Sequence, residues 1–137
     1  MQINAYLNFN GTCREAFDFY ARCLGGTIEA LHTFGEMPGD QVPAEFGERI
    51  MHTHMSVGNQ MLMGSDTFPG GPPDEGHKGF SVSIQAETPE EAERVFAALS
   101  EGGNVTMPIQ QTFFAARFGM LVDKYNIPWM INCEGAH

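Results

Sequence analysis

Thr12-Cys13-Arg14-Glu15-Ala16 in the first half of the chain recurs in the second half as Thr88-Pro89-Glu90-Glu91-Ala92. Both have the form of a capping box, in which the threonine hydroxyl accepts from the backbone N–H three residues on and the glutamate there reaches back to the threonine N–H. Pro89 suits a first helical position. Each stretch therefore starts a helix. The first carries Ala16, Phe17, Tyr20 and Leu24, and the second Ala92, Val95, Phe96 and Leu99, an apolar stripe at helical spacing in both. Gly25-Gly26 and Gly102-Gly103 close them, since a left-handed C-cap costs glycine no Cβ strain.

Strands flank both helices. Ile3, Ala5, Leu7 and Phe9 alternate with Gln2, Asn4, Tyr6 and Asn8 before the first helix, and Phe80, Val82 and Ile84 alternate with Ser81, Ser83 and Gln85 before the second. Further strands are expected near 26–34, 49–57 and 60–66, and again near 104–111, 116–123 and 127–134. Each half then reads β-α-β-β-β. Module one covers about 1–66 and module two about 79–134, in a single domain 1–137, with the Gly- and Pro-rich segment 67–78 as linker. A second long loop runs from about Gly35 to Glu48. The expected fold class is α+β, tandem βαβββ modules forming a curled mixed sheet with a cup.

One helix covers one face of a four-stranded sheet, so the apolar strand positions belong beneath it. The polar set faces elsewhere: Asn4, Tyr6, Asn8, His52, His54, Ser56, Ser81, Ser83 and Gln85. Such a face meets solvent in many antiparallel sheets. The duplication favours a cavity instead, because two curling sheets side by side would enclose their uncovered faces.

Composition narrows the function. Of 137 residues, 42% are hydrophobic and 18% charged, which is enough apolar material for a core and too little charge for a disordered acidic chain. The net charge of −10 repels phosphate backbones and anionic lipid heads, and no Lys or Arg run offsets it locally. Neither nucleic acid nor a membrane is an expected partner. Cys13, Cys23 and Cys133 form no C-x-x-C pair and fit a reducing compartment, so they are read as small apolar side chains of a cytoplasmic protein.

His52 and His54 lie two apart on an expected strand, so their rings project to one face. They are the candidate catalytic residues: a histidine titrates near neutrality and suits proton transfer. Alternatively they hold an ion, with Glu36 or His77 as a third ligand, since catalytic zinc normally takes three protein ligands. The plainest reading is a pair of hydrogen-bonded residues on a polar sheet. Arg117 stands at opposite parity to Phe118, Met120 and Val122, which places it in the cup as a bidentate anchor for a carboxylate or phosphonate, unless an acid such as Glu36 or Asp66 pairs with it. Candidate ligand-binding residues are thus Arg117, Asn4, Tyr6, Ser81, Ser83, Phe113 and Met130. Phe113, Phe114, Tyr125 and Trp129 are expected mainly in the core or a dimer contact, with one of Phe113 and Phe114 inside. Met37, Met61, Met63 and Met130 make a soft wall.

The β-α-β-β-β duplication, Glu15-Ala16-Phe17-Asp18-Phe19-Tyr20 and Gly102-Gly103-Asn104-Val105-Thr106 resemble the vicinal-oxygen-chelate superfamily, which includes glyoxalase I, extradiol dioxygenases and bleomycin-resistance proteins. Finer motifs resemble its PhnB-like branch: Asn8-Phe9-Asn10-Gly11 with Cys13, Phe34-Gly35-Glu36-Met37-Pro38, Met63-Gly64-Ser65-Asp66, Gln111-Thr112-Phe113-Phe114, Phe118-Gly119, Asp123, and Ile127-Pro128-Trp129-Met130-Ile131-Asn132. The resemblance implies a homodimer, a small polar or anionic ligand, and no agreed reaction. Glyoxalase-type members hold a divalent metal at positions that correspond here to Asn4, Met61 or Met63, Gly79 and Met130. Thioethers are soft and glycine has no side chain, so no metal cofactor is expected there. Some members carry a 3-demethylubiquinone methyltransferase label, which implies S-adenosylmethionine, and no Gly-rich strand-to-helix turn is present for it. Two alternatives stay open: a metal-dependent lyase, isomerase or dioxygenase using His52 and His54, and a non-catalytic, resistance-type protein that sequesters its ligand.

Overall fold

Leu7 and Phe9 alternate with Tyr6 and Asn8 along β1 (Ala5–Phe9), and only the apolar pair is buried. The face they define is covered by α1 (Cys13–Leu24), whose Phe17 ring meets Phe9 edge-on with centroids 6.2 Å apart. Then follow β2 (Thr27–Thr33), two short 3-10 turns (Phe34–Glu36 and Ala44–Phe46), β3 (Ile50–Val57) and β4 (Gln60–Asp66). The second series is β5 (Val82–Gln85), α2 (Pro89–Ser100), β6 (Asn104–Gln110), β7 (Arg117–Val122) and β8 (Pro128–Cys133). The computed structural model describes residues 1–37, 42–67 and 76–134. The chain divides into two compact units, Met1–Glu75 and Gly76–His137. Residues 68–75 of the expected linker and 38–41 of the loop Gly35–Glu48, with Pro38, lie outside the described residues.

Each unit has a four-stranded mixed sheet, ordered β1-β4-β3-β2 in the N-terminal unit and β5-β8-β7-β6 in the C-terminal unit. The outer pairs β1–β4 and β5–β8 are parallel and the others antiparallel. Both units thus have the expected β-α-β-β-β order. The first strands start later than the alternation implied: Ile3 and Phe80 precede β1 and β5, and they are 93% and 46% exposed. Among the described residues no helix is long and apolar enough to cross a membrane.

In the C-terminal unit α2 buries Ala92, Val95, Phe96 and Leu99, the stripe its spacing implied. The threonine half of its expected capping box forms, with Thr88 Oγ1 accepting from Glu91 N at 3.1 Å, while the Glu91 carboxylate accepts from Glu87 N, one residue before the expected Thr88 N–H. The N-terminus of α1 is built differently. Thr12 makes no side-chain cap, and the expected box is replaced by Asp66 at the end of β4, whose carboxylate accepts from Gly11 N, Cys13 N and Ile50 N at 2.8, 3.0 and 2.8 Å. The three cysteines are buried free thiols.

Candidate functional site

In the N-terminal unit the register fixes which side chains share a face. Gly64 faces α1, because a Cβ there would come within 3.0 Å of the Phe17 ring, and Leu7 and Thr53 stand opposite Gly64 on the neighbouring strands. Side chains alternate along a strand, so Tyr6, Met63 and His54, which pair across β1, β4 and β3, stand on the far face of the sheet, away from the helix. A bulge at Glu29 sets β2 so that Ala30 lies opposite His54 and His32 opposite His52. Three histidines thereby come together on two adjacent strands. The third, His32, was missed by sequence reading, because β2 (TIEALHT) does not alternate and the bulge moves its parity; only pairing with His52 reveals the face.

Hydrogen bonds and ring contacts link the cluster. Tyr6 Oη lies 3.3 Å from His52 Nδ1, with the two rings stacked at 5.9 Å, and the His52 and His54 rings are 5.7 Å apart. His32 Nδ1 contacts Glu36 Oε1 at 3.2 Å, while Glu36 Oε2 accepts from Thr33 N at 2.7 Å. Ser56 donates to Glu29 at 2.7 Å. The Thr33 N–H, and then His32, hold the Glu36 carboxyl below its ordinary value. Partial burial, and next the charges of His54 and His32, hold the His52 imidazole below the ordinary 6.5. In the unfolded chain His52 takes its proton at the ordinary value, so the stability it contributes is present above pH 6.5 and is lost as pH falls through the lower folded value. His52→Gln should flatten that limb of the stability-against-pH curve in urea unfolding. An unchanged slope between pH 7.5 and 5 would rule this account out.

Asn4 sits just before β1, with its amide 3.5 Å from Gln2 Oε1. The other expected ligand residues belong to the C-terminal unit. Ser83 pairs with Met130 and Gln85 with Asn132, so these four share a face, and Asn132 Nδ2 donates to Gln85 Oε1 at 2.6 Å; Ser81 precedes β5. The placement expected for Arg117 is corrected. Gly119 and Leu121 are the β7 residues that face α2, since a Cβ on Gly119 would come within 2.7 Å of the Phe96 ring, while Phe118, Met120 and Val122 turn to the other face. Arg117 shares the parity of Gly119, and its Nε donates to Glu93 of α2 at 3.1 Å. Exposed ion pairs stabilise little. Arg117→Met should therefore cost under about 1 kcal/mol in chemical unfolding, and a larger loss would show that the pair is not of this ordinary kind. Of the expected aromatic cluster Trp129 is buried, whereas Phe113 and Phe114 are both exposed rather than one inside, in edge-to-face contact with each other at 5.2 Å and with Phe114 5.2 Å from Phe118.

Metal and cofactor fit can be judged from the donors. Among the described residues no group of three or more His, Cys, Asp or Glu is arranged to hold an ion. The positions implied by the resemblance carry one amide, two thioethers and a glycine, a poor set for a hard or borderline divalent cation. His52 and His54 supply two nitrogens, one of them hydrogen-bonded to Tyr6. Among the described residues, the donors at these positions do not fit the divalent metal that the resemblance implies. Nor do the strand-to-helix turns fit a nucleoside cofactor: the N–H groups of Gly11 and Cys13 are engaged by Asp66, and the second turn reads Ala86-Glu87-Thr88.

Residues 1–132 match the model of a family described as 3-demethylubiquinone-9 3-methyltransferase. The chain is 33% identical to Protein YjdN of Escherichia coli (strain K12), over 96% of its own length and 95% of that protein's. The crystal structure of protein PA1353 from Pseudomonas aeruginosa superposes with a TM-score of 0.90 at 50% identity, covering 98% of each chain. A PhnB protein from Bacillus cereus, described with the same methyltransferase name, gives 0.80 at 26% identity, covering 97% of this chain and 99% of that one. FosX from Listeria monocytogenes, a fosfomycin resistance protein, gives 0.66 at 9% identity over 99% and 93%, a likeness of fold.

Proposed function

Because the chain belongs to the family described as 3-demethylubiquinone-9 3-methyltransferase, the PhnB-like branch of proteins with the vicinal-oxygen-chelate fold, we propose that it binds a small polar organic molecule on the far face of its N-terminal sheet. The observation that carries this reading is the convergence of Tyr6, His52 and His54, three hydrogen-bonding side chains held by backbone pairing on rigid strands. Sites built on strands hold their geometry better than sites on loops. The adjacent imidazoles of His52 and His54, 5.7 Å apart, are the groups suited to proton transfer in any reaction on the bound molecule. Fold does not name a reaction, and the methyltransferase description of the family finds no cofactor cradle in this chain's β–α turns. The C-terminal face of Ser83, Gln85, Met130 and Asn132 is a second binding surface in this reading. Homodimer formation completes it.

The test is a titration of the protein with a panel of small polar metabolites, following the His52, His54 and Tyr6 ring resonances and the melting temperature. Perturbation of these rings together with thermal stabilisation is the expected result. A panel in which every stabilising compound spares all three rings would overturn the assignment. Recovery of the ligand unchanged after hours marks a sequestering protein, and its conversion marks an enzyme.

A further inference from the structure

We infer that the far face of the N-terminal sheet takes an oxyanion, held between His52 and His54 with His32 as a third donor. The inference rests on the small-molecule reading above and assigns the ligand its chemical class. With Arg117 engaged by Glu93, the role of anion anchor passes to the histidines. The His52 and His54 rings stand 5.7 Å apart with 52° between their planes, a spacing across which the oxygens of one carboxylate, sulfonate or phosphonate accept an N–H from each ring. Tyr6 engages Nδ1 of His52, and in the tautomer where the Tyr6 hydroxyl donates to that nitrogen the neutral ring carries its N–H on Nε2 as a donor for the anion.

The charges around the pair favour the same occupant. On β2 stand His32 and Glu29, on β3 His52 and His54, on β1 Tyr6, and in the following 3-10 turn Glu36; β4 contributes Met61, Met63 and Ser65. Both carboxylates are already engaged, Glu29 by the Ser56 hydroxyl and Glu36 by Thr33 N and His32. The three imidazoles repel one another when charged, and partial burial together with the charges of His54 and His32 disfavours a proton on His52. An anion placed among them reverses that balance, so binding takes up protons. Affinity then rises by up to about tenfold per pH unit for each proton taken up as pH falls from 8 to 5.5.

Sulfate stays fully ionised over this range, so any pH dependence of its binding belongs to the protein; dimethyl sulfone is its neutral counterpart. Binding is read from the imidazole resonances of His52 and His54 in the unsubstituted protein, and from the rise in melting temperature with sulfate in every variant, at constant ionic strength set with chloride. Sulfate should bind at least tenfold more tightly at pH 5.5 than at pH 8, and dimethyl sulfone should show no such change. His52→Gln and His54→Gln should each abolish the difference, and Glu36→Gln, which frees His32, should tighten sulfate. Sulfate binding of equal strength at both pH values, or retained by the double His variant, overturns the inference. If the polar panel moves these rings while sulfate does not, the anion site falls and the small-molecule reading stands. If neither moves them, both fall.

Discussion

Replacing Asp66 by alanine is expected to destabilise the protein by about 3 to 5 kcal/mol, among the largest single-residue losses the chain can suffer. The carboxylate is 3% exposed and accepts from three backbone N–H groups, those of Gly11, Cys13 and Ile50. Alanine leaves all three donors without an acceptor in a place water does not reach, and each such donor costs about 1 to 3 kcal/mol before relaxation. The damage reaches the site. Asp66 ties the β1–α1 turn to the first residue of β3, two positions before His52, so it helps set the alignment of Tyr6 with His52. Denaturant unfolding should show the loss, and hydrogen exchange should show faster exchange at Gly11, Cys13 and Ile50. A loss under about 1 kcal/mol would mean that water or a neighbour replaces the carboxylate.

Asp123 is the corresponding latch of the C-terminal unit. Its Oδ1 accepts from Tyr125 N and Ile127 N at 2.7 and 3.1 Å, closing the turn that holds Asn126 at φ +70°, and its Oδ2 accepts from the Trp129 indole at 2.8 Å. Asparagine keeps the size and one acceptor. Its NH2 then faces another donor, either the indole N–H or the backbone pair. Asp123→Asn should cost about 2 to 3 kcal/mol, nearly as much as alanine, because the donor left unpaired is buried. Trp129 is the chain's single tryptophan, so its fluorescence reports the change directly. Wild-type stability together with an unshifted emission maximum would contradict the indole bond.

These two aspartates refine the charge argument. The balance of −10 argues against polyanionic partners, yet among the described residues Asp66 and Asp123 are buried acceptors that hold turns together. Their residue type was visible in the sequence, Asp66 within Met63-Gly64-Ser65-Asp66 and Asp123 between Val122 and Lys124. Their partners were not, because Asp66 binds an N–H 55 positions away.

The β-α-β-β-β order of each half, the two helices with the buried stripe of α2 and most of that of α1, where Leu24 is only part-buried and Phe19 and Cys23 are buried as well, and the shared face of His52 and His54 follow from the sequence alone. Local chemistry carries all three: capping residues, helical spacing and strand alternation act within a few positions. The tertiary structure decided the rest wherever alternation is silent or interrupted. Both parities of β7 are apolar, with Phe118, Met120 and Val122 against Gly119 and Leu121, so hydrophobicity does not choose a face. Close packing does: glycine admits the Phe96 ring, α2 settles on that side, and Arg117 follows Gly119 to meet Glu93. On β2 one bulged residue, Glu29, turns His32 to the face of His52, and a bulge exists only once two strands are paired.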